Sequence, residues 1–201
     1  MKKIISICMM LLLLSAFPMS ASAAGLSHTV EKGDTMWKIA SKYHVGTSEV
    51  IRANSQISNP NLIYPGQVLT IPQEDSSVLA FEDEVIRLVN EQRAKYGLKA
   101  LTANWELSRV ARYKSQDMVD NRYFSHTSPT YGTPFQMIRA FGLTYRIAGE
   151  NIAYGQQTPQ AAVSAWMNSS GHRANILNVS YTQIGVGYVS NGHYWTQMFI
   201  G

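Results

Sequence analysis

Trp166-Met167-Asn168-Ser169-Ser170-Gly171-His172-Arg173 is the stretch around which the chain is organised. It closes a helix that starts at Thr158-Pro159, a cap followed by proline at the first helical position. Ala162, Ala165 and Trp166 share one face of that helix. The stretch then turns sharply and delivers His172 to a surface that two earlier segments can reach. These are Phe124-Ser125-His126 and Gly149-Glu150-Asn151-Ile152.

Working outward, the same half of the chain carries three more helices. Phe81, Val85, Leu88 and Val89 mark an amphipathic helix that runs to Tyr96 and is stopped by Gly97. Asn90 and Arg93, three apart, read as a hydrogen-bonded surface of that helix. Leu107, Val110, Ala111 and Met118 mark a second helix from Asn104 to Asn121, and Gly132-Thr133-Pro134 introduces a short third through Ala140. The end of the chain changes character. Gln183–Val189 and His193–Ile200 are strand-like and joined by Ser190-Asn191-Gly192, whose Asn-Gly pair is a tight-turn signal. Gly185 and Gly187 leave one strand face bare, open to a closely packed backbone or helix. With one more strand over 147–153, the expectation is an α+β sandwich.

On this reading His126 follows the second helix, Glu150 the third and His172 the fourth. His193, beside the turn, reads as solvated. Two imidazoles and a carboxylate suit a divalent metal such as zinc (Zn2+), with His126 and His172 as ligands and a position left for water. They equally suit a metal-free polar network, which the spacing favours. The sequence holds no His-Glu-x-x-His metal motif and no Gly-x-Ser-x-Gly nucleophile turn.

The first half is smaller. His28-Thr29-Val30 reads as a strand, and Asp34 is placed to cap a helix whose Met36, Ile39, Ala40 and Tyr43 form one apolar face. Thr47 can cap a second short helix ending near Asn54. Tyr64-Pro65-Gly66-Gln67 fits a type II turn, and Val68–Ile71 closes the module as a strand. Strand, helix, helix, strand in about 45 residues is near the lower limit for an unaided core. Residues 73–80 read as a linker, the polar, acidic Gln73–Ser77 forming a short tether.

Ahead of both lies a basic start at Lys2 and Lys3, an apolar run from Ile4 to Leu14, and Ala21-Ser22-Ala23. This is the pattern of a secretory signal peptide over residues 1–23, with the mature chain starting at 24; a retained anchor is the alternative. Cys8, the only cysteine, lies inside it, so the mature chain has no disulfide, thiolate ligand or cysteine nucleophile. An exported protein without disulfides fits a bacterial envelope. Losing Lys2 and Lys3 lowers the formal charge from +4 to +2, too balanced for a nucleic-acid partner.

The residues also carry two resemblances. Thr29-Val30-x-x-Gly33-Asp34-Thr35-x-Trp37-x-Ile39-Ala40 and Asn61-Leu62-Ile63-Tyr64-Pro65-Gly66-Gln67-x-Leu69-x-Ile71-Pro72 resemble the two ends of a LysM domain over residues 28–72. That resemblance implies binding of glycans containing N-acetylglucosamine, peptidoglycan or chitin. The groove would lie between Gly33, Asp34, Thr35 and Met36 on one side and Asn59, Pro60, Asn61, Leu62 and Ile63 on the other. Backbone amides would hold the acetamido group, with Met36, Leu62 and Ile63 against the sugar face.

Phe124-Ser125-His126-x-Ser128-Pro129, Gly149-Glu150-Asn151-Ile152-Ala153, Trp166-Met167-Asn168-Ser169-x-Gly171-His172-Arg173 and Ile184-Gly185-Val186-Gly187 resemble the CAP superfamily of cysteine-rich secretory, antigen 5 and pathogenesis-related proteins. The resemblance spans 81–201 and implies an α-β-α sandwich with a cavity of two histidines and two acids. His126, Glu150 and His172 match three of these, and Ser169 stands where the second acid would be. Together the two resemblances imply an exported, wall-associated protein held on peptidoglycan by LysM. Its CAP domain, non-catalytic or cryptically active, would present the cavity to an unidentified ligand or partner. The alternatives are a metal-assisted hydrolase of wall peptide or protein, with Glu150 as general base, and a lipid-binding protein.

Overall fold

A computed structural model describes residues 26–201. The leader, its cut after Ala23 and Cys8 lie outside the described residues.

The first module pairs β1 (Leu26–Thr29) antiparallel with β2 (Val68–Ile71), with α1 (Met36–Lys42) and α2 (Thr47–Ala53) between them. This is the expected βααβ order, closed over Val30, Met36, Ile39, Ala40, Val50, Leu69 and Ile71. Both caps differ from expectation. Thr35, one residue later, accepts from Lys38 N at 3.2 Å. Asp34 instead turns back, accepting from Glu31 N at 2.8 Å and bonding His28 Nε2 at 2.9 Å. Gly46 occupies the N-cap of α2 with no side-chain bond, so Thr47 is the first helical residue. The type II turn is present: Gly66 has φ +92°, and Gln67 N donates to Tyr64 O. Buried Asn54 then ties α2 to β2. Its amide donates to Val50 O and Thr70 O, and its Oδ1 accepts from Thr70 N.

The second module begins earlier than its apolar pattern. α3 (Ser76–Lys95) is capped by Asp75, which accepts from Ser77 N at 2.7 Å, so residues 76–80 are its first turns. Then come β3 (Thr102–Ala103), α4 (Trp105–Asp120), α5 (Pro134–Ala140), β4 (Ala148–Tyr154), α6 (Pro159–Asn168), α7 (Ser170–Ile176), β5 (Gln183–Val189) and β6 (Tyr194–Ile200). The sheet order is β3-β5-β6-β4, with β3 parallel to β5 and the other pairs antiparallel. The short β3 carries too little apolar pattern to be read from sequence.

Alternation across β6 explains the layers, because successive strand residues face opposite sides. Trp195 and Phe199 join α3, α6 and α7 in one core, with Ile184, Val186 and Tyr188 of β5. Met198 and Ile200 join α4 and α5 in the other. The result is the expected α-β-α sandwich. On the α4 side, the middle of β5 presents only Gly185 and Gly187. A Cβ on either would collide with the α4 backbone, at Leu107–Ser108 and Ala111–Arg112 respectively. The bare face is therefore the seat of α4.

Other differences have local causes. The opening stretch is a helix–kink–helix, with Ser169 ending α6 and capping α7. On α6 the buried partner of Ala162 and Trp166 is Val163, while Ala165 is exposed. The β5–β6 connection spans Ser190–His193, with Gly192 at φ +80° and His193 at φ +56°. Asn90 and Arg93 are not a helix surface. Arg93 is buried and donates to the carbonyls of Lys99, Ile176 and Asn178, while Asn90 clamps both the N–H and the carbonyl of Leu101.

Gly187→Ala should destabilise the protein by about 3 kcal/mol, because the obstructing atoms are helix backbone and cannot rotate away. Urea denaturation of the purified variant measures this; a change within about 0.5 kcal/mol, the range of a neutral surface substitution, would contradict the packing.

Candidate functional site

The site sits at the edge of the sheet. β4 is the last strand, so its free side is where both helical layers can meet. Glu150 pairs with Met198, which places its side chain on the α4 face; Asn151 pairs with Gln197 and faces α6 and α7. Glu150 is therefore mid-strand and not at an element end as its position after the third helix suggested.

On the α4 face, the loop after α4 carries His126 over Glu150. His126 Nδ1 lies 2.7 Å from Glu150 Oε1. The carboxylate side chain is 2% exposed and the imidazole 53% exposed, so the ring lids the acid. Two residues of α4 that the sequence reading passed over hold this loop. Asp117 accepts from Ser128, Thr130, Tyr123 and Asn121. Buried Lys114 donates to Tyr123 Oη at 3.0 Å, Ser125 O at 2.7 Å and His126 O at 3.0 Å. Their spacing on α4 is i, i+3, which puts both on one helix face. That spacing was the available signal, but it does not distinguish a buried pair from a solvated one.

Burial drives the carboxyl of Glu150 above its usual range, outweighing the bond from His126 and the charge of Lys114. The bond to Glu150 raises His126, outweighing partial burial. Burial lowers Lys114, against the pull of Glu150. Burial also opposes ionisation of Asp117, but its hydrogen bonds win and its carboxyl is lowered. Glu150 Oε2 is buried with no hydrogen-bond partner.

On the other face, Asn151 Nδ2 donates to His172 O at 3.1 Å and to Gln197 Oε1 at 3.0 Å, while Asn175 donates to Glu150 O and Asn151 Oδ1. These bonds dock α7 on the strand edge. His172 is half-buried, and its ring is lowered first by burial and then by the charge of His126. Its ring makes no hydrogen bond to another described residue. The structure thus joins His126 to Glu150 directly and brings His172 within electrostatic range of His126. His193, read as solvated, bonds Tyr188 Oη through Nδ1 at 2.7 Å.

Zinc does not fit this donor set. Among the described residues no three His, Cys, Asp or Glu side chains gather as metal ligands. His126 keeps Nε2 free of other described residues while Nδ1 bonds Glu150, and Ser169, at the junction of α6 and α7, offers a hydroxyl and no carboxylate.

Beside this pair lies an aromatic cluster that the sequence analysis missed. Tyr154 and Tyr194 are cross-strand partners with ring centroids 4.6 Å apart, and Phe124 lies 6.2 and 6.4 Å from them. Phe124 and Tyr154 are more than half exposed. Glu150 and Tyr154 share a strand face, so the rings extend the same face from the carboxylate outward.

In the first module, Gly33 adopts φ +91° and its carbonyl accepts from Lys38 Nζ. Thr35 and Asp34 are engaged as described, and Met36 lies in the core. In the facing loop, Asn59 Oδ1 accepts from Asn61 N, Leu62 N donates to Asn59 O, Pro60 stands between them, and Ile63 packs half-buried on the core. Leu62 is exposed, as are Trp37 and Tyr64, which the groove reading did not include.

Comparison with known proteins agrees with this architecture. The model of the Cysteine-rich secretory protein family (CAP) matches residues 86–199, and that of the LysM domain matches residues 28–72. Protein YkwD of Bacillus subtilis (strain 168) is 58% identical over 132 residues, covering 66% of this chain and 51% of that protein. The secreted LysM effector ECP6 of Passalora fulva is 38% identical over 64 residues, 31% of this chain and 28% of the effector. Among solved structures, an extracellular protein containing a SCP domain from Bacillus anthracis str. Ames superposes with a TM-score of 0.60 at 35% identity, covering 68% of this chain and 47% of that one. The chain thus spans about half the length of these bacillar relatives.

The two imidazoles should titrate on opposite sides of the ordinary histidine value, His126 above and His172 below. NMR titration of the ring protons reads both, and Glu150→Gln should lower His126. Because the folded value of His126 is raised, its contribution to stability is fully present below the unfolded value of about 6.5. It is lost as pH rises through the folded value. Coincident titration of the two rings would contradict the geometry.

Proposed function

Since the chain belongs to the Cysteine-rich secretory protein family and carries a LysM domain ahead of that fold, we propose that it is an exported protein tethered to peptidoglycan through LysM. The CAP domain then presents the His126–Glu150–His172 cavity to a ligand or partner at the wall. The tether is carried by one observation: the βααβ module is complete, and its 59–63 loop, anchored on the core by Ile63, leaves Leu62 exposed. Gly33, Asp34, Thr35 and Met36 would form the other wall of the glycan seat. In that wall the backbone amides and the fixed Asp34 supply polar contacts, while buried Met36 supports the loop from below.

The cavity half of the reading is supported by Glu150. A carboxylate oxygen buried without a partner costs stability. Such a cost at the strand edge, under a half-exposed imidazole, is typical of a functional position. The exposed rings of Phe124 and Tyr154, with half-buried Tyr194 beside them, suit an apolar or sugar-ring portion of the same ligand. The donor set favours a binding cavity over a metal-assisted hydrolase.

Secretion is supported by the leader pattern, and no helix among the described residues is long and apolar enough to cross a membrane. A single LysM copy gives modest affinity, without the avidity of tandem repeats.

The chain from residue 24 should sediment with purified sacculi. Leu62→Ala should weaken retention about threefold to tenfold, the loss of one apolar contact. His126→Ala should leave it unchanged, because the cavity is on the other module. A wild-type chain that stays in the supernatant would refute the tether.

A further inference from the structure

Two modules joined by a short polar tether are expected to move independently unless something holds them. Here α2 of the first module lies against α4 of the second, and the contact is built from charges far apart in sequence. Arg109 reaches Glu49 in bidentate fashion, Nε to Oε1 at 2.7 Å and Nη2 to Oε2 at 3.0 Å. Tyr113 Oη donates to Glu49 Oε1 at 2.7 Å and accepts from Arg52 Nη2 at 2.7 Å. Arg109 also donates to Ser48 Oγ. Beside them His44, held in a left-handed conformation at φ +55°, stacks on Trp105 with ring centroids 5.3 Å apart.

This is not an ordinary surface ion pair. Both charged side chains are only 19% exposed, which limits screening by water and salt. The Arg109 guanidinium is sandwiched against the rings of Tyr113 and Phe141, at 5.5 and 5.0 Å from their centroids. Burial works against the Glu49 carboxylate, yet the bonds from Arg109, Tyr113 and Ser48 bring it down to about 2. The carboxylate therefore stays ionised at any pH well above that value.

Gly46 belongs to the same contact. Its backbone, at φ −75° and ψ 145°, is open to any residue, so the LysM turn does not require glycine. A Cβ at this position would overlap Glu49 Oε2 and the Arg109 guanidinium. The missing side chain makes room for the Glu49–Arg109 pair.

We propose that the face of the CAP domain formed by Trp105, Arg109 and Tyr113 is a receptor for the chain's own LysM module, so that the two modules reorient as one body. Its partner is a helix that offers a carboxylate in its first turn behind a glycine. If LysM sits on a glycan, the CAP cavity then faces the wall at a set angle; that consequence rests on the function proposed above, whereas the docking does not.

The test is 15N relaxation on the chain from residue 24. Amides of the two modules should share one rotational correlation time in the wild type. Glu49→Lys and Gly46→Leu should each release the LysM amides to a shorter time, while the shifts of Val50 and Asn54 show that its core is intact. Glu49→Arg combined with Arg109→Glu should restore the shared time. Separate times in the wild type, or a shared time retained in both single variants, would overturn the proposal. Binding to sacculi is read separately, so loss of the tether and loss of the docking remain distinguishable.

Discussion

The seating of α4 on the bare face of β5 is the contact on which the rest of the structure depends. Gly185 and Gly187 let helix and strand backbones approach more closely than any side chain would permit. Serines on α4 use that closeness. Ser108 Oγ accepts from Val186 N, and Ser115 bonds both Gly187 O and Thr196 Oγ1. From this seat one helix points in three directions. Its apolar residues fill the core with α5, Lys114 and Asp117 hold the loop that carries His126, and Arg109 and Tyr113 face the first module.

Several buried charges follow from the same geometry. Because β3 is only two residues long, β5 runs past its parallel partner and leaves edge amides to satisfy. Ser108 takes the N–H of Val186 and Glu82 takes that of Tyr188. Glu82 also receives Arg112 Nε on both oxygens, and burial nonetheless pushes its carboxyl up to about 7. Glu82 is therefore a structural acid whose bonds repair a sheet edge. Glu150 differs. It too is buried and raised, but one of its oxygens has no partner, and its cover is an exposed imidazole. The contrast separates the acid that completes the fold from the acid that is left open.

Size gives the contact between modules a second role. A βααβ unit of about 45 residues buries little apolar surface and is marginal alone. Its polar ties, His28 with Asp34 and Asn54 with β2, compensate from within. The second module contributes from outside.

Periodicity, punctuation and turn chemistry are local, and they made most of this protein legible. The i, i+3, i+4 faces of α1, α3 and α4, the Thr158-Pro159 and Thr133-Pro134 starts, the Pro65-Gly66 turn and the bare glycines of β5 were all readable in order. His126 and Glu150 stood out as well, and the two side chains meet at 2.7 Å. Sequence could not show which polar residues pair. Arg93 with Ile176, Asp117 with Ser128, and Glu49 with Arg109 are joined by chain reversals, and a charge looks the same in sequence whether it is solvated or buried. Tertiary structure alone decided that Glu150 lies mid-strand at a sheet edge, that Ser169 joins two helices, and that the two modules touch. The physical reason is common to all three. Each depends on what desolvates a polar group, and that is set by neighbours the chain supplies from elsewhere.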